Sequence, residues 1–479
     1  MKTCVPLYQV PTKNTITRKI ETKYALLKEK LVNEFKKVNA FVMTSDVWTD
    51  CSNTSYMGFS THYLCGTSIK TLCLACEPLD QRHTADYLKN TITATLEKFE
   101  ISQDKVVGFV IDAESAIRKA AKELFGDRHI VCLAHTLALV LKDAVKELHD
   151  LNRLIDKVKS IVALIKKSIP ASDELKALQM KEGTPEGKVL HLIQEVPTRW
   201  NSKIDMINRY IELEKYIYLA MKRCDNPIDL LSIEEMVTLK DVRPIMQVVN
   251  CVITELSSEN NASCSVIIPL VNFMKQEIED IAPNTDIGKK YKANMEKSIE
   301  SRFKNFERSI LAECTLIDPR FKKVHFKDGA ALVHAINKIR NRIKENASKL
   351  SSQTRPNELS TSNSSSYIWK LYDKLVCNSS NQSKVDWSTE LDQFLHLPTI
   401  PLNSNIFEYW KNCAQSFPVL SEIALKKHII LSSSVPSERI FSIAGLVKRD
   451  NRNRLTGNHL NMLLFLSSLP QEYWELSHV

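Results

Sequence analysis

Phe41-Val42-Met43-Thr44-Ser45-Asp46-Val47 is a short apolar run, ending in Asp46-Val47-Trp48-Thr49, that carries one carboxylate, Asp46. Such residues suit a pleated, half-buried surface, so the run is predicted to be a strand. Two similar runs follow, Tyr56 to Leu64 and Ser68 to Leu74. The connections Thr49 to Ser55 and Cys65 to Thr67 are too short for a crossover helix, which makes the three strands antiparallel neighbours. Leu88, Ile92, Leu96 and Phe99 then share a helical face, and Val106-Val107-Gly108-Phe109-Val110-Ile111 forms a fourth strand that stops at Asp112. A second helix carries Ile117, Ala120, Ala121 and Leu124, and a short fifth strand, His129 to Cys132, feeds a helix with Leu137, Val140, Leu141, Ala144 and Leu148 on one side. The order β-β-β-α-β-α-β-α is that of an antiparallel meander turned into a partly parallel sheet with helices on it.

Asp46 and Asp112 both fall at expected strand tips, where open α/β sheets gather their chemistry, and they can face one another if strands one and four are neighbours. Carboxylates on rigid strands, joined by one from a helix, suit a pair of Mg²⁺ or Mn²⁺ ions, because hard cations choose oxygen ligands. The competing explanation is that acids at strand ends are ordinary turn formers. A third carboxylate comes from Leu431 to Leu455, L-S-S-S-V-P-S-E-R-I-F-S-I-A-G-L-V-K-R-D-N-R-N-R-L. Ser434 is placed to cap a helix and Pro436 suits its first turn. Ile440, Ile443, Ala444 and Val447 make a face for burial; Glu438, Ser442 and Gly445 make another, and the helix dipole favours ionised Glu438. A first-turn glutamate that merely complements the dipole is the plainer alternative. Directly afterwards the cations Arg439, Lys448, Arg449, Arg452 and Arg454 face a single anion, Asp450.

A chain of 479 residues with 43% apolar and 25% charged side chains is globular and long enough for two or three units with their own cores. A formal charge of +9 permits nucleic-acid contact without demanding it. The N-terminus lacks a basic segment followed by an apolar one, and no apolar run reaches the roughly 20 residues of a membrane span. Twelve scattered cysteines read as reduced, mostly buried thiols of a cytosolic or nuclear protein. Leu26, Leu27, Val32 and Phe35 belong to a lead-in helix. Leu151, Leu154, Ile155, Val158, Ile161 and Val162 open a series of helices to about residue 345. Residues 346–382 turn Ser-, Asn- and Thr-rich and are expected to be a flexible excursion. Phe407, Tyr409, Trp410, Phe417, Leu420, Ile423 and Leu425 then form an aromatic-rich helical region, and Leu460, Leu463 and Leu464 a last helix; together they are expected to leave an exposed apolar patch larger than is typical of a monomer surface. No internal repeat and no phosphate-binding G-x-x-x-x-G-K-[ST] loop is present.

Several segments together resemble the catalytic core of hAT-superfamily DNA transposases, in particular the branch that usually begins with a BED-type zinc finger. They are Thr44 to Thr49 with Ser55-Tyr56, His83-Thr84, Val110-Ile111-Asp112, Cys132-Leu133-Ala134-His135, Pro197 to Ser202, Ile317 to Lys322, and Ser434 to Gly445, in that order from about Leu7 to Leu469. The resemblance implies an RNase H-like mixed sheet interrupted by a large all-α insertion, with a helical C-terminal dimerisation region. It divides the chain into a lead-in at 1–40, a first core part at 41–149, the insertion at 150–387 and a region at 388–470 that completes the core. It further implies Asp46, Asp112 and Glu438 as D-D-E ligands of two Mg²⁺ or Mn²⁺ ions, double-stranded DNA as partner, a homodimer or higher homo-oligomer, and a nuclear address. DNA contacts are expected from His135, from Trp200 as a base-stacking residue in place of a core tryptophan, and from Arg439, Lys448, Arg449, Arg452 and Arg454. Where the family continues with Asn and Ser-Asn after the second acid, this chain has Ala113-Glu114-Ser115-Ala116, which adds charge beside the site.

Before Asp46 stand only Cys4 and no histidine, so no BED finger is visible in this sequence and binding is expected to rest on phosphate contacts. Cys132-x-x-His135 has no second Cys/His pair at finger spacing nearby, so it is read as a strand-end Cys and a site His. Cys73 and Cys76 are expected on opposite faces of a strand and are assigned to burial. The alternatives to an active transposase core are a catalytically silent, domesticated DNA-binding regulator of transcription and an unrelated α/β hydrolase.

Overall fold

The computed structural model describes residues 11–50, 53–196, 201–257, 263–353, 389–448 and 455–475. Its centre is a five-stranded mixed sheet of order β3-β2-β1-β4-β5, formed by β1 (Phe41–Thr49), β2 (Ser55–Cys65), β3 (Ser68–Leu79), β4 (Val106–Ile111) and β5 (His129–Val131). The first three strands are antiparallel neighbours, whereas β4 runs parallel to both β1 and β5. Short connections force the meander; the parallel half is reached through helices, as right-handed crossovers require. β1 continues past Asp46 to Thr49, paired with β2 throughout, so Asp46 lies within the strand and opposite Gly58.

Both sheet faces are covered. On one lie α1 (Lys13–Phe35), α2 (Ala85–Lys98) and α3 (Ser115–Phe125), which bury Leu27, Leu31, Leu88, Ile92, Ile117 and Ala121 against Met43, Phe59 and Phe109. On the other lies α4 (Leu133–Val145), whose Leu137, Val140 and Ala144 join one continuous core with the helices that follow. Those are α5 (His149–Lys167), α6 (Ile169–Lys181), α7 (Ser202–Glu212), α8 (Glu214–Met221), α9 (Ile233–Ser257), α10 (Ile267–Asp280), α11 (Asp286–Phe303), α12 (Ile310–Leu316) and α13 (Gly329–Gln353). The last of these runs into the Ser/Asn-rich stretch as far as Gln353; residues 354–388 lie outside the described residues.

After the gap come α14 (Thr389–His396), α15 (Ile406–Asn412), α16 (Pro418–His428), α17 (Val435–Val447), α18 (Gly457–Ser468) and α19 (Gln471–Glu475). The aromatic-rich stretch, expected to leave an apolar surface free, is instead core: Trp410, Phe417, Leu420 and Ile423 pack with Ile339, Ile343 and Phe394. Leu460 and Leu464 are likewise buried, against Tyr56, Cys73 and Cys76 of the sheet. Each such side chain is worth roughly 1.5–3 kcal/mol when removed from water, which is why a helical bundle this close to a sheet edge keeps them inside. Among the described residues, no helix is long and apolar enough to cross a membrane.

Cys73 and Cys76 depart from the expected alternation. The β2–β3 register slips between Phe59 and Ser60, so that Ala75 pairs with Phe59 and Cys73 with Ser60. One extra residue in a strand turns the following side chains over, and both thiols end on the face covered by α17 and α18. Both are buried, and burial pushes Cys76 up to about 12 and Cys73 also upward, so they remain packed thiols.

Candidate active site

Asp46, Asp112 and Glu438 come from three elements. Asp46 stands on β1, Asp112 follows the last residue of the adjacent parallel strand β4, and Glu438 lies in the first turn of α17. The sequence of the α17 approach explains how it reaches the sheet. Cys264 donates its amide to Ile430 O (2.7 Å), Leu133 donates to Ser432 O (3.1 Å), and Ser434 donates its amide to the sulfur of Cys132 (3.3 Å). Cys132 thus caps α4 and ties it to the start of α17, since its sulfur also accepts the His135 amide (3.5 Å) and its own amide donates to Ile111 O (2.6 Å). The Cys132-x-x-His135 motif is a joint between the end of β4 and the start of α17.

The α17 helix is turned from its expected orientation. Ser434 stands at the N-cap but makes no side-chain cap hydrogen bond. Ile440, Phe441 and Ala444 are buried and Val447 is partly buried, while Ile443 is exposed. The buried stripe is centred on Phe441 because its ring, and not that of an aliphatic residue, fills the space over Gly58. The Ser437 hydroxyl bonds Thr44 Oγ1 at 2.6 Å, and Thr44 bonds Ser60 in turn. At the far end of the helix Lys448, expected to contact phosphate, is buried and paired with Asp50, with Tyr56 Oη at 2.8 Å. It holds α17 on the sheet and is not available to a ligand.

Burial raises all three acids. Asp46 is pushed up to about 8, first by loss of solvent and then by the charges of Asp112, Glu438 and Glu114, against the Val47 amide that its Oδ1 accepts at 2.8 Å. Burial lifts Glu438 to about 7, which overrides the ionising pull expected of the helix N-terminus. Asp112 is raised by burial too, held back by the Glu114 amide (3.2 Å to its Oδ1) and by His135. His135, half-buried on the first turn of α4, is lowered by burial, with Asp112 pulling it up and Arg302 pushing it down. Arg302 reaches this region from α11, where its Nε and Nη2 both donate to Asp143 Oδ2 at 2.8 and 2.5 Å.

Asp46 is therefore within electrostatic reach of both Asp112 and Glu438. Among the described residues, however, no group of three or more His, Cys, Asp or Glu side chains stands close enough to hold an ion as it is. The donor set, hard oxygens burdened by mutual repulsion, has the chemistry a divalent cation relieves. Arg439 is exposed on α17. Trp200, Arg449, Arg452 and Arg454 lie outside the described residues. Gly58, Ser60, His62 and Arg302 are not singled out by the sequence reading, and Thr44 and Phe441 stand there only within segments of the family resemblance; of the four, Gly58 alone carries a local signal, as an isolated glycine inside a strand.

Comparison with known families matches two segments of this architecture. Residues 390–469 match the hAT family C-terminal dimerisation region, and residues 130–248 match the ZBED1 RNase-like helical domain. These matches, on a chain built around a mixed five-stranded sheet, support a hAT/BED-type, transposase-derived protein. Over 98% of its length the chain is 23% identical to zinc finger BED domain-containing protein 4 of Homo sapiens, of which it covers 41%. Two Zea mays proteins, Putative AC transposase and Putative AC9 transposase, are each 23% identical over 97% of the chain, which covers 61% of either. The chain thus spans from about two-fifths to three-fifths of the length of these relatives.

Proposed function

We propose that the chain is the core of a hAT-type DNA transposase, in which Asp46, Asp112 and Glu438 hold two Mg²⁺ or Mn²⁺ ions for strand cleavage and transfer. The single observation that supports this reading is that the charges of Asp112 and Glu438, which stand just beyond β4 and on α17 across a large helical insertion, both act on Asp46 of β1. In it, residues 41–149 and 388–470 make up an RNase H-like core split by 150–387 and preceded by a lead-in at 1–40.

Bound divalent ions would activate the attacking oxygen and neutralise charge at the scissile phosphate. The protein's own part is to present three carboxyl groups whose charge burial disfavours and a cation would stabilise. His135, beside Asp112, can orient that carboxylate or donate to a phosphate oxygen. Arg439, Arg449, Arg452 and Arg454 supply backbone contacts that fix DNA without reading it, and Trp200 offers a face for an extruded base. The C-terminal dimerisation region supports a homodimer, and a DNA substrate would call for a nuclear address.

The test is one assay series with purified protein, Mg²⁺ or Mn²⁺ and double-stranded DNA. Wild type should nick, and Asp46→Ala, Asp112→Ala and Glu438→Ala should each abolish nicking while the chain stays folded. Removing one of three mutually repelling acids costs no packed surface, so without metal the melting temperature should hold or rise. Arg452→Ala with Arg454→Ala should weaken binding to all sequences and flatten its salt dependence. Nicking that survives loss of any single acid defeats the two-metal assignment.

A second reading is a catalytically silent regulator that binds DNA or protein partners. It is favoured by the spacing of the acids, which are not gathered tightly enough to ligate an ion in this conformation, and by the extra charge of Glu114 on Asp46. Binding without nicking in the wild type would select it.

A further inference from the structure

Five side chains behind the acids form an unbroken polar chain through the sheet. Thr71 Oγ1, at the exposed edge of β3, bonds His62 Nδ1 at 2.9 Å. His62 Nε2 meets Ser60 Oγ at 3.1 Å, Ser60 Oγ bonds Thr44 Oγ1, and Thr44 Oγ1 bonds Ser437 Oγ at 2.6 Å. Thr44, Ser60, His62 and Ser437 are all completely buried. The chain crosses from β3 to β2 to β1 and ends on α17.

Its two inner members adjoin the acids. Thr44 and Asp46 are two apart on β1 and so point to the same face; Ser437 directly precedes Glu438. Satisfying buried hydroxyls is a sufficient reason for any one of these bonds. It does not explain why hydroxyls stand there at all, on a face otherwise closed by Phe441, Ile440 and Ala444. Apolar contacts tolerate sliding, whereas hydrogen bonds prescribe both distance and direction. The first turn of α17 has particular need of that, because Ser434 gives it no side-chain cap.

We propose that Thr44 and Ser437, backed by Ser60 and His62, are positioning residues that set the reach of Glu438 toward Asp46. The proposal rests on the D-D-E reading for its catalytic meaning, while its structural content stands apart from it. His62 can serve as the anchor because its two ring nitrogens engage hydroxyls on opposite sides, one accepting while the other donates.

Thr44→Val removes the hydroxyl at nearly constant volume, Thr44→Ser keeps it, and Ser437→Ala removes its partner. Three quantities are measured on the full chain: amide exchange in residues 435–441, Mn²⁺ affinity by electron paramagnetic resonance, and single-turnover nicking at saturating DNA. In Thr44→Val and Ser437→Ala, exchange in the first turn should accelerate while β4 stays protected. Mn²⁺ affinity and nicking should fall about 10-fold to 100-fold, the range for losing a partner that orients a ligand, with DNA affinity unchanged. Thr44→Ser should match the wild type. Unchanged first-turn exchange in both hydroxyl-deleting variants overturns the proposal, as does a Thr44→Ser variant that behaves like Thr44→Val. If Thr44→Val does not fold, Ser437→Ala decides alone. If the wild type binds no Mn²⁺ and does not nick, the D-D-E reading falls, and exchange by itself still decides whether the hydroxyl pair positions α17.

Discussion

The ring of Phe441 lies so close over Gly58 that a Cβ on residue 58 would stand 2.5 Å from Cε1 and 2.7 Å from Cζ. Phe441 has nowhere to retreat, because it also stacks on Trp48 at 6.0 Å between centroids, and Trp48 stacks on Tyr56 at 5.5 Å. Gly58 is the partner of Asp46 across the β1–β2 ladder. The missing side chain therefore admits α17, and with it Glu438, to the sheet beside Asp46. Gly58→Ala should cost roughly 1–3 kcal/mol by overpacking, and Phe441→Leu in that background should recover part of it. Thermal denaturation measures both; an unchanged melting point for Gly58→Ala would show that the helix does not depend on this contact.

Lys448 and Asp50 provide a separate clamp at the other end of α17. Their side chains are 5% and 1% exposed, so removing Lys448 takes a buried cation from beside a buried carboxylate. Lys448→Met should destabilise by about 3–5 kcal/mol, and adding Asp50→Asn should restore much of the loss. The salt dependence of DNA binding by the folded fraction should not change, in contrast to the Arg452 and Arg454 double variant. A shallower salt slope for Lys448→Met would return this residue to the phosphate contacts.

His62 makes acid stability depend on one imidazole. Burial lowers its pKa from 6.5 to about 3, so the folded protein refuses a proton that the unfolded chain accepts. The stability it confers is complete above pH 6.5 and is lost as pH falls toward about 3, with a slope of at most ~1.4 kcal/mol per pH unit. His62→Gln retains a donor and an acceptor but does not titrate. Urea melts of both proteins should therefore converge or cross as pH drops through this window, and parallel pH profiles would refute the assignment.

Oligomerisation should not run through the aromatic residues near Trp410, which are core. The matched dimerisation region does leave Leu397, Leu402, Ile443 and Leu446 exposed. Light scattering at micromolar concentration should give a dimer or larger, and Ile443→Asp with Leu446→Asp should shift it toward monomer without lowering the melting point. A strict monomer in the wild type would contradict the expectation.

By itself the sequence determined the sheet. Apolar runs and short connections dictated three antiparallel strands, and apolar Val106 to Ile111, flanked by helical periodicities, pointed to a partly parallel continuation, while its pairing with β1 was left to the fold. Those are local properties, as are the first-turn place of Glu438 and the position of Asp112 just beyond its strand. What only the tertiary structure decided is how α17 sits. Its burial stripe, read from spacing, included Ile443; a glycine on a distant strand and a buried hydroxyl pair turn Phe441 and Ser437 inward instead. Charge patterning likewise grouped Lys448 with the arginines, until Asp50, far away in the chain, took it into the core. The bulge that brings Cys73 and Cys76 to one face has no local signature either, since it arises from pairing with β2. Periodicity reports which residues want burial, but contacts between segments hundreds of residues apart decide which of them obtain it, and at what distance two acids finally stand.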